Sequence, residues 1–226
     1  ARAREVMPGQ LVVGPVTWDD GEVMRMDMSL PTEMRIGMFA WSADKIVTDA
    51  GQNAWQVKTR RYIALNGTHG VSGVIAEPES FRPMTSWFNH TVLGNTSAAY
   101  TPAEVKISHL GQGMEDTTIG FDGPVFDNEQ AVYLIRRLPL AVGYKTTLPI
   151  MITFGGKQMQ IPLTVLEKQT ITVPAGEFEC YKVDLVLEKI MHQTMWFSTD
   201  DAHLLVKLSA DGIIGELASV AKQGSG

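Results

Sequence analysis

The stretch EVMRMDMSL, residues 22–30, decides how the chain is read. Met24, Met26 and Met28 occupy every second position, with Arg25 and Asp27 between them. Successive side chains of a β-strand point to opposite faces, so this pattern puts three thioethers on one face and charges on the other. Three roles fit such a row. It is an ordinary core strand, a soft lining for a ligand cavity, or a thioether set for copper(I). Same-face side chains on a strand lie about 6.6 Å apart at ~3.3 Å rise per residue, so one ion would reach all three only across a bend. No metal or other cofactor is therefore expected.

The same alternation recurs along the chain. It predicts strands over 23–30, 34–42, 54–65, 73–76, 97–100, 104–110, 147–154, 157–165, 170–173, 178–188, 194–198, 204–208 and 213–220. Turn residues sit at the joints. Gly155-Gly156 and Gly94-Asn95 read as two-residue hairpin turns, and Pro174-Ala175-Gly176 separates two more strands. One segment breaks the pattern. Asp127 and Gln130 form a capping-box pair, Ala131, Leu134, Ile135 and Leu138 have helical spacing, and Pro139 ends the run. That predicts one short helix over about 128–137. About a dozen strands with one helix imply an antiparallel β-barrel or half-barrel, with a two-sheet β-sandwich as the alternative. The chain reads as a single β-rich domain over 1–226, with sub-halves 1–126 and 138–222 joined by the helix.

Composition narrows the function. Of 226 residues, 44% are hydrophobic and 19% charged, enough for a sizeable core, and the net charge is -6. Across residues 62–125, Arg82 and Lys106 face Glu77, Glu79, Glu104, Glu115, Asp116 and Asp122. Such an acidic balance excludes a basic nucleic-acid groove and electrostatic docking on anionic lipid. No apolar run is long enough for a transmembrane helix, and the N-terminal ARAREVMPGQ shows no signal peptide. A single cysteine, Cys180, excludes an intramolecular disulfide and reads as a buried, inert thiol.

Four motifs occur in order: PESFRPMTSW over 78–87, RRLPLAVGY over 136–144, VPAGEFECYKVDL over 173–185, and MWFSTDDAHLLVKLSADGIIGEL over 195–217. Together they resemble a bacterial exported family, domain of unknown function 3108, over about 75–220. The resemblance implies a β-rich envelope protein, periplasmic or extracellular, although a cytoplasmic place stays open. By looser analogy it implies a lipocalin-like or lipoprotein-carrier-like barrel. It carries over no catalytic residue.

The candidate ligand-binding residues are Met24, Met26, Met28, Arg82, Trp87, Arg136 and Trp196. The methionines would line an apolar space, and the two tryptophans flank the family-like motifs. Of the adjacent Arg136 and Arg137, only one faces the core side of a helix, and Arg136 is the choice for holding a polar head group. Arg82 is a second choice. Glu177 and Glu179, spaced for one strand face, are the candidate carboxylate pair of an enzyme, with solvated strand edges as the plainer account. The leading expectation is a non-catalytic envelope protein that binds a lipid or other hydrophobic small molecule in a barrel cavity. The alternatives are an assembly protein that joins partners, including its own copies, through strand edges, and a carbohydrate-active enzyme.

Overall fold

The structure, a computed structural model, describes residues 11–110, 113, 115–187 and 191–222. The N-terminal segment, Met7, Met114, the end of the strand expected over 178–188 and the terminal GSG lie outside the described residues. The first wing of the fold comprises β1 (Glu22–Ser29), β2 (Arg35–Val47), β3 (Asn53–Ile63), β4 (Thr68–Ala76), β5 (Pro83–His90), β6 (Gly94–Tyr100), β7 (Glu104–Leu110) and β8 (Thr117–Gly120). Next come β9 (Phe126–Asp127), a 3-10 turn (Asn128–Gln130) and α1 (Ala131–Arg136). The second wing comprises β10 (Lys145–Ile152), β11 (Lys157–Val173), β12 (Gly176–Leu187), β13 (Met191–Ser198), β14 (Leu205–Ala210) and β15 (Ile213–Lys222).

These strands form one sheet rather than the two layers of a sandwich. Its order is β8-β7-β6-β5-β4-β3-β2-β1-β15-β14-β13-β12-β11-β10-β9. The chain meanders outward from β1, crosses through α1, and meanders back until β15 pairs with β1. Every pairing is antiparallel except that of β9 with β10. The sheet curls on itself. Tyr100 Oη donates to Asp127 Oδ2 at 2.6 Å, joining β6 to β9 across the interior. Phe88 of β5 stacks on Phe154 beyond β10, with centroids 4.9 Å apart.

The methionine row lies on β1 as the alternation requires. Met24, Met26 and Met28 are all fully buried, and Met24 and Met26 belong to the main core. The helix lies inside the curl, where Tyr133, Leu134 and Ile135 are inaccessible to solvent. Its start is as expected: Glu129 N donates to Asp127 Oδ1 at 2.9 Å and Asp127 N to Gln130 Oε1 at 3.2 Å. The first turn winds as 3-10, which shortens the α-helical part.

Several boundaries differ from the sequence reading. The alternation does not predict β5, β8 or β9, and the two strands expected over 157–173 are one strand with a bulge between Val165 and Glu167. The β5–β6 hairpin turns through residues 91–93, so Gly94 and Asn95 belong to β6 rather than to the turn. Gly94 closes that loop with φ 78, a left-handed conformation that glycine adopts without steric penalty. Arg136 and Arg137 are both buried. The helix ends at Arg136, and Arg137 follows as its C-cap residue with φ -91 and ψ 0.

Candidate functional site

An apolar cavity of about 280 Å³ lies inside the curled sheet, beside α1. Leu148 and Ile150 of β10, Ile161 of β11, Leu185 of β12, Met195 of β13 and Leu208 of β14 supply one wall. Phe39 and Trp41 of β2 face them, and Ala131, Val132 and Ile135 of α1 form a third side. The inward positions of strands around α1 therefore build the chamber. Its residues Leu187, Asp211 and Ile213 are strand-end or turn residues from one end of the sheet, and there, at exposed Asp211, it reaches solvent.

One part of the lining is polar. Arg61 points inward from β3 and Glu129 from the first turn of the helical segment. Arg61 Nη2 lies 3.3 Å from Glu129 Oε2, and the Glu129 side chain is 3% exposed against 24% for Arg61. The Ser72 hydroxyl donates to the same carboxylate oxygen, and Asn128 Nδ2 donates to Glu129 Oε1 at 3.0 Å. The Arg61 guanidinium also lies over the Phe88 ring at 5.3 Å. Beneath this group, burial and the neighbouring Glu129 charge push the Asp127 carboxyl up to about 6. An apolar chamber ending in a few convergent polar groups is the usual form of a small-molecule site, though ~300–1,000 Å³ is typical. This one is suited to a small guest or one slender chain.

The residues singled out from the sequence are dispersed. The three methionines line neither this cavity nor a second cleft. Arg136 is engaged within the protein. Its Nη1 donates to Glu22 Oε1 at 2.5 Å and to Met24 Sδ at 3.5 Å. Its Nη2 donates to Glu22 Oε2 at 3.2 Å and to Ala202 O at 2.9 Å, and its Nε to Ala202 O at 3.1 Å. Arg137 likewise holds Gly14 O at 2.7 Å and Glu79 O at 2.9 Å. Arg82 borders the second cleft, about 730 Å³, at the opposite end of the sheet, where it forms a two-point pair with Glu77 at 3.1 Å. Trp87 lies on the outer face over Gly73, where a Cβ would come within 2.5 Å of its ring and of Val57 O. Trp196 donates from Nε1 to Gln169 Oε1 at 2.8 Å.

The carboxylate pair of the enzyme reading is exposed at both members. Glu179 is hydrogen-bonded by Lys168, which holds its carboxyl below the usual range, opposite to the shift a general acid needs. Burial pushes the Cys180 thiol up to about 12, so it stays protonated. Among the described residues no three His, Cys, Asp or Glu side chains gather as a metal site, and no helix is long and apolar enough to cross a membrane.

Sequence reasoning missed Arg61 and Glu129. The available signal was the inner row of β3, in which Arg61 interrupts Trp55, Val57, Thr59 and Ile63. A cation on a core-facing strand position calls for a partner.

The family model described as "Protein of unknown function (DUF3108)" matches residues 23–220, nearly the whole sheet. The chain belongs to this family. The match begins within β1, so it also takes in the N-terminal strands that the four motifs left unassigned. No curated protein matches the chain. Among solved structures, a β-barrel-like protein of domain of unknown function DUF1849 from Brucella abortus is similar at TM-score 0.61 and 8% identity, covering 94% of this chain and 100% of that one. At this identity the likeness shows the fold: the family member is β-barrel-like. A protein from Bacteroides fragilis, described as exported with a YmcC-like fold, gives TM-score 0.34 at 12% identity over 93% and 99% of the two chains. One from Parabacteroides distasonis, described as a lipoprotein, gives 0.35 at 13% over 92% and 97%.

Proposed function

We propose that the chain acts as one β-rich domain that binds a small amphiphile, its apolar chain in the cavity beside α1 and its polar head at Arg61 and Glu129. The observation that carries this reading is the meeting, in one chamber, of aliphatic walls with a buried carboxylate held by Arg61, Ser72 and Asn128. Burial of apolar ligand surface supplies the affinity, about 25 cal/mol per Å². Arg61 fixes orientation, a role the saturated Arg136 has no free donor to perform. We take the place of action to be the bacterial envelope, periplasmic or extracellular, as the resemblance to an exported family implies. Both edges of the sheet are short, four residues in β8 and two in β9, which disfavours assembly through strand edges.

A fluorescent medium-chain fatty acid is the probe. The native chain is expected to bind it saturably at one site. Ala131→Phe, which fills the chamber from the helix side, is expected to abolish that binding while the circular dichroism spectrum stays unchanged. Binding that does not saturate, or that survives in folded Ala131→Phe, sinks the reading.

A further inference from the structure

The hairpins at one end of the first wing share an unusual feature: each tip carries at least one exposed apolar side chain. Met34 closes the β1–β2 hairpin and is 48% exposed. Leu65 in the β3–β4 turn is 69% exposed, and Tyr62, next to that turn, 48%. Val92 and Leu93 in the β5–β6 loop are 71% and 46% exposed, and Leu110 at the end of β7 is 63% exposed. In an antiparallel meander these turns all fall at the same end of the strands. Hydrogen bonds link them in a row: Ala64 N donates to Ile36 O at 2.7 Å, and Thr91 N donates to His69 O at 3.0 Å. Asn95, beside Gly94, is paired with Leu110. The cavity reaches solvent at this end too, since Ser29 at the end of β1 pairs with Ile214, next to the Asp211 and Ile213 that line it.

We propose that this rim docks the protein on a lipid bilayer, with the cavity mouth facing the membrane. Single exposed apolar residues need no explanation, but a row of them across four neighbouring turns, on the first-wing side of the cavity opening, does. A fluid surface suits separate projecting tips, because each side chain sinks independently into the acyl boundary and no rigid complementary shape is required. A tyrosine beside aliphatic tips matches the interfacial preference of amphipathic rings. Glu33 and Arg35 put both signs on the rim, and the chain carries net charge -6, so the attraction is hydrophobic rather than electrostatic. The occupant to which the geometry points is a zwitterionic lipid surface.

The test is flotation with phosphatidylcholine vesicles at low and high salt, run beside analytical ultracentrifugation. The native chain is expected to float, with little dependence on salt. Met34→Ser/Leu65→Ser/Val92→Ser/Leu93→Ser is expected to lower partitioning by ~10-fold or more, since each lost tip removes apolar area from the lipid. A control, Val47→Ser/Val220→Ser, alters exposed residues at the other end of the sheet and is expected to float like the native chain. Three results overturn the proposal: no flotation of the native chain, equal loss in both variants, or binding confined to anionic vesicles and abolished by salt. A native dimer that only the rim variant dissociates, without flotation, assigns the rim to a second copy instead. The rim stands on its own observations. A chain that floats yet binds no fatty acid keeps the rim and loses the cavity reading, and the converse result removes the rim alone.

Discussion

The interior of the curled sheet has two different wings. Inward positions of β4 to β7 include Thr68, Ser72, Ser86, Thr96 and His109, all buried, with Asp127 and Glu129 set against them. Inward positions of β10 to β13 are Leu148, Ile150, Ile161, Leu163, Val183, Leu185 and Phe197. The first wing mixes these polar groups with buried Val74, Phe88, Val105 and Ile107, whereas the second is packed mainly by apolar side chains. The cavity lies on the boundary between them, which is why it has aliphatic walls and an ionic end. Apolar burial drives the folding of both wings, and in the first the Ser72–Glu129–Arg61 group adds fixed geometry more than stability.

The largest effect is expected where the wings meet. The Arg136–Glu22 pair ties the helix to β1, with side chains 0% and 8% exposed. Arg136→Met strands the Glu22 carboxylate and should cost about 3–5 kcal/mol in urea unfolding. Adding Glu22→Gln should recover part of that loss, and a double variant no more stable than the single one breaks this account. Next comes the contrast between wings. Leu163→Ala should cost about 2–5 kcal/mol through the cavity it leaves. Thr96→Val, whose hydroxyl makes only a 3.4 Å contact with His109 Nδ1, should cost under about 1.5 kcal/mol. Equal costs would erase the distinction.

Asp127 gives the comparison a pH axis. Its carboxyl rises from 3.8 to about 6 on folding, so the folded chain holds the proton more tightly than the unfolded one. The resulting stability is fully present below pH 3.8 and lost as pH rises through about 6. Asp127→Asn keeps a good N-cap residue and should remove this dependence, raising stability above pH 7 by about 1–3 kcal/mol. Unfolding curves at pH 4, 6 and 8 that change in parallel for both proteins would refute it. The smallest effect is expected from Met24→Leu, Met26→Leu and Met28→Leu, near-isosteric changes costing less than about 1.5 kcal/mol each.

The same difference explains what could be read from the sequence. In β1, buried methionines alternate with an exposed arginine and a half-buried aspartate, and the second wing alternates in the same way, so its strands were legible. In β5 the inward row mixes Ser86 and His90 with Phe88, the outward row carries Trp87 beside Thr85 and Asn89, and a bulge lets Pro83 pair with buried Ala76, so the period-two signal cancels. The helix start was legible because a capping box is local. The Arg61–Glu129 pair was not, since its partners are 68 residues apart and only the curl of the sheet joins them. Arg136 was recognised as inward-facing, but its partner Glu22 lies 114 residues away, and no local pattern shows that its donors are already taken.

The pairing of β1 with β15 sets an order in time. Strand β1 can acquire one neighbour from β2 early, but its other side stays open until the last strand of the sheet is available. Before then the methionine row belongs to an unfinished edge, the kind of surface that recruits foreign strands and aggregates. Closing so long a loop is slow, because contacts of high sequence separation form only after most of the chain has been ordered. A chain emerging as an extended thread would thus reach its native state only after residues 213–222 had emerged to close the open side of β1.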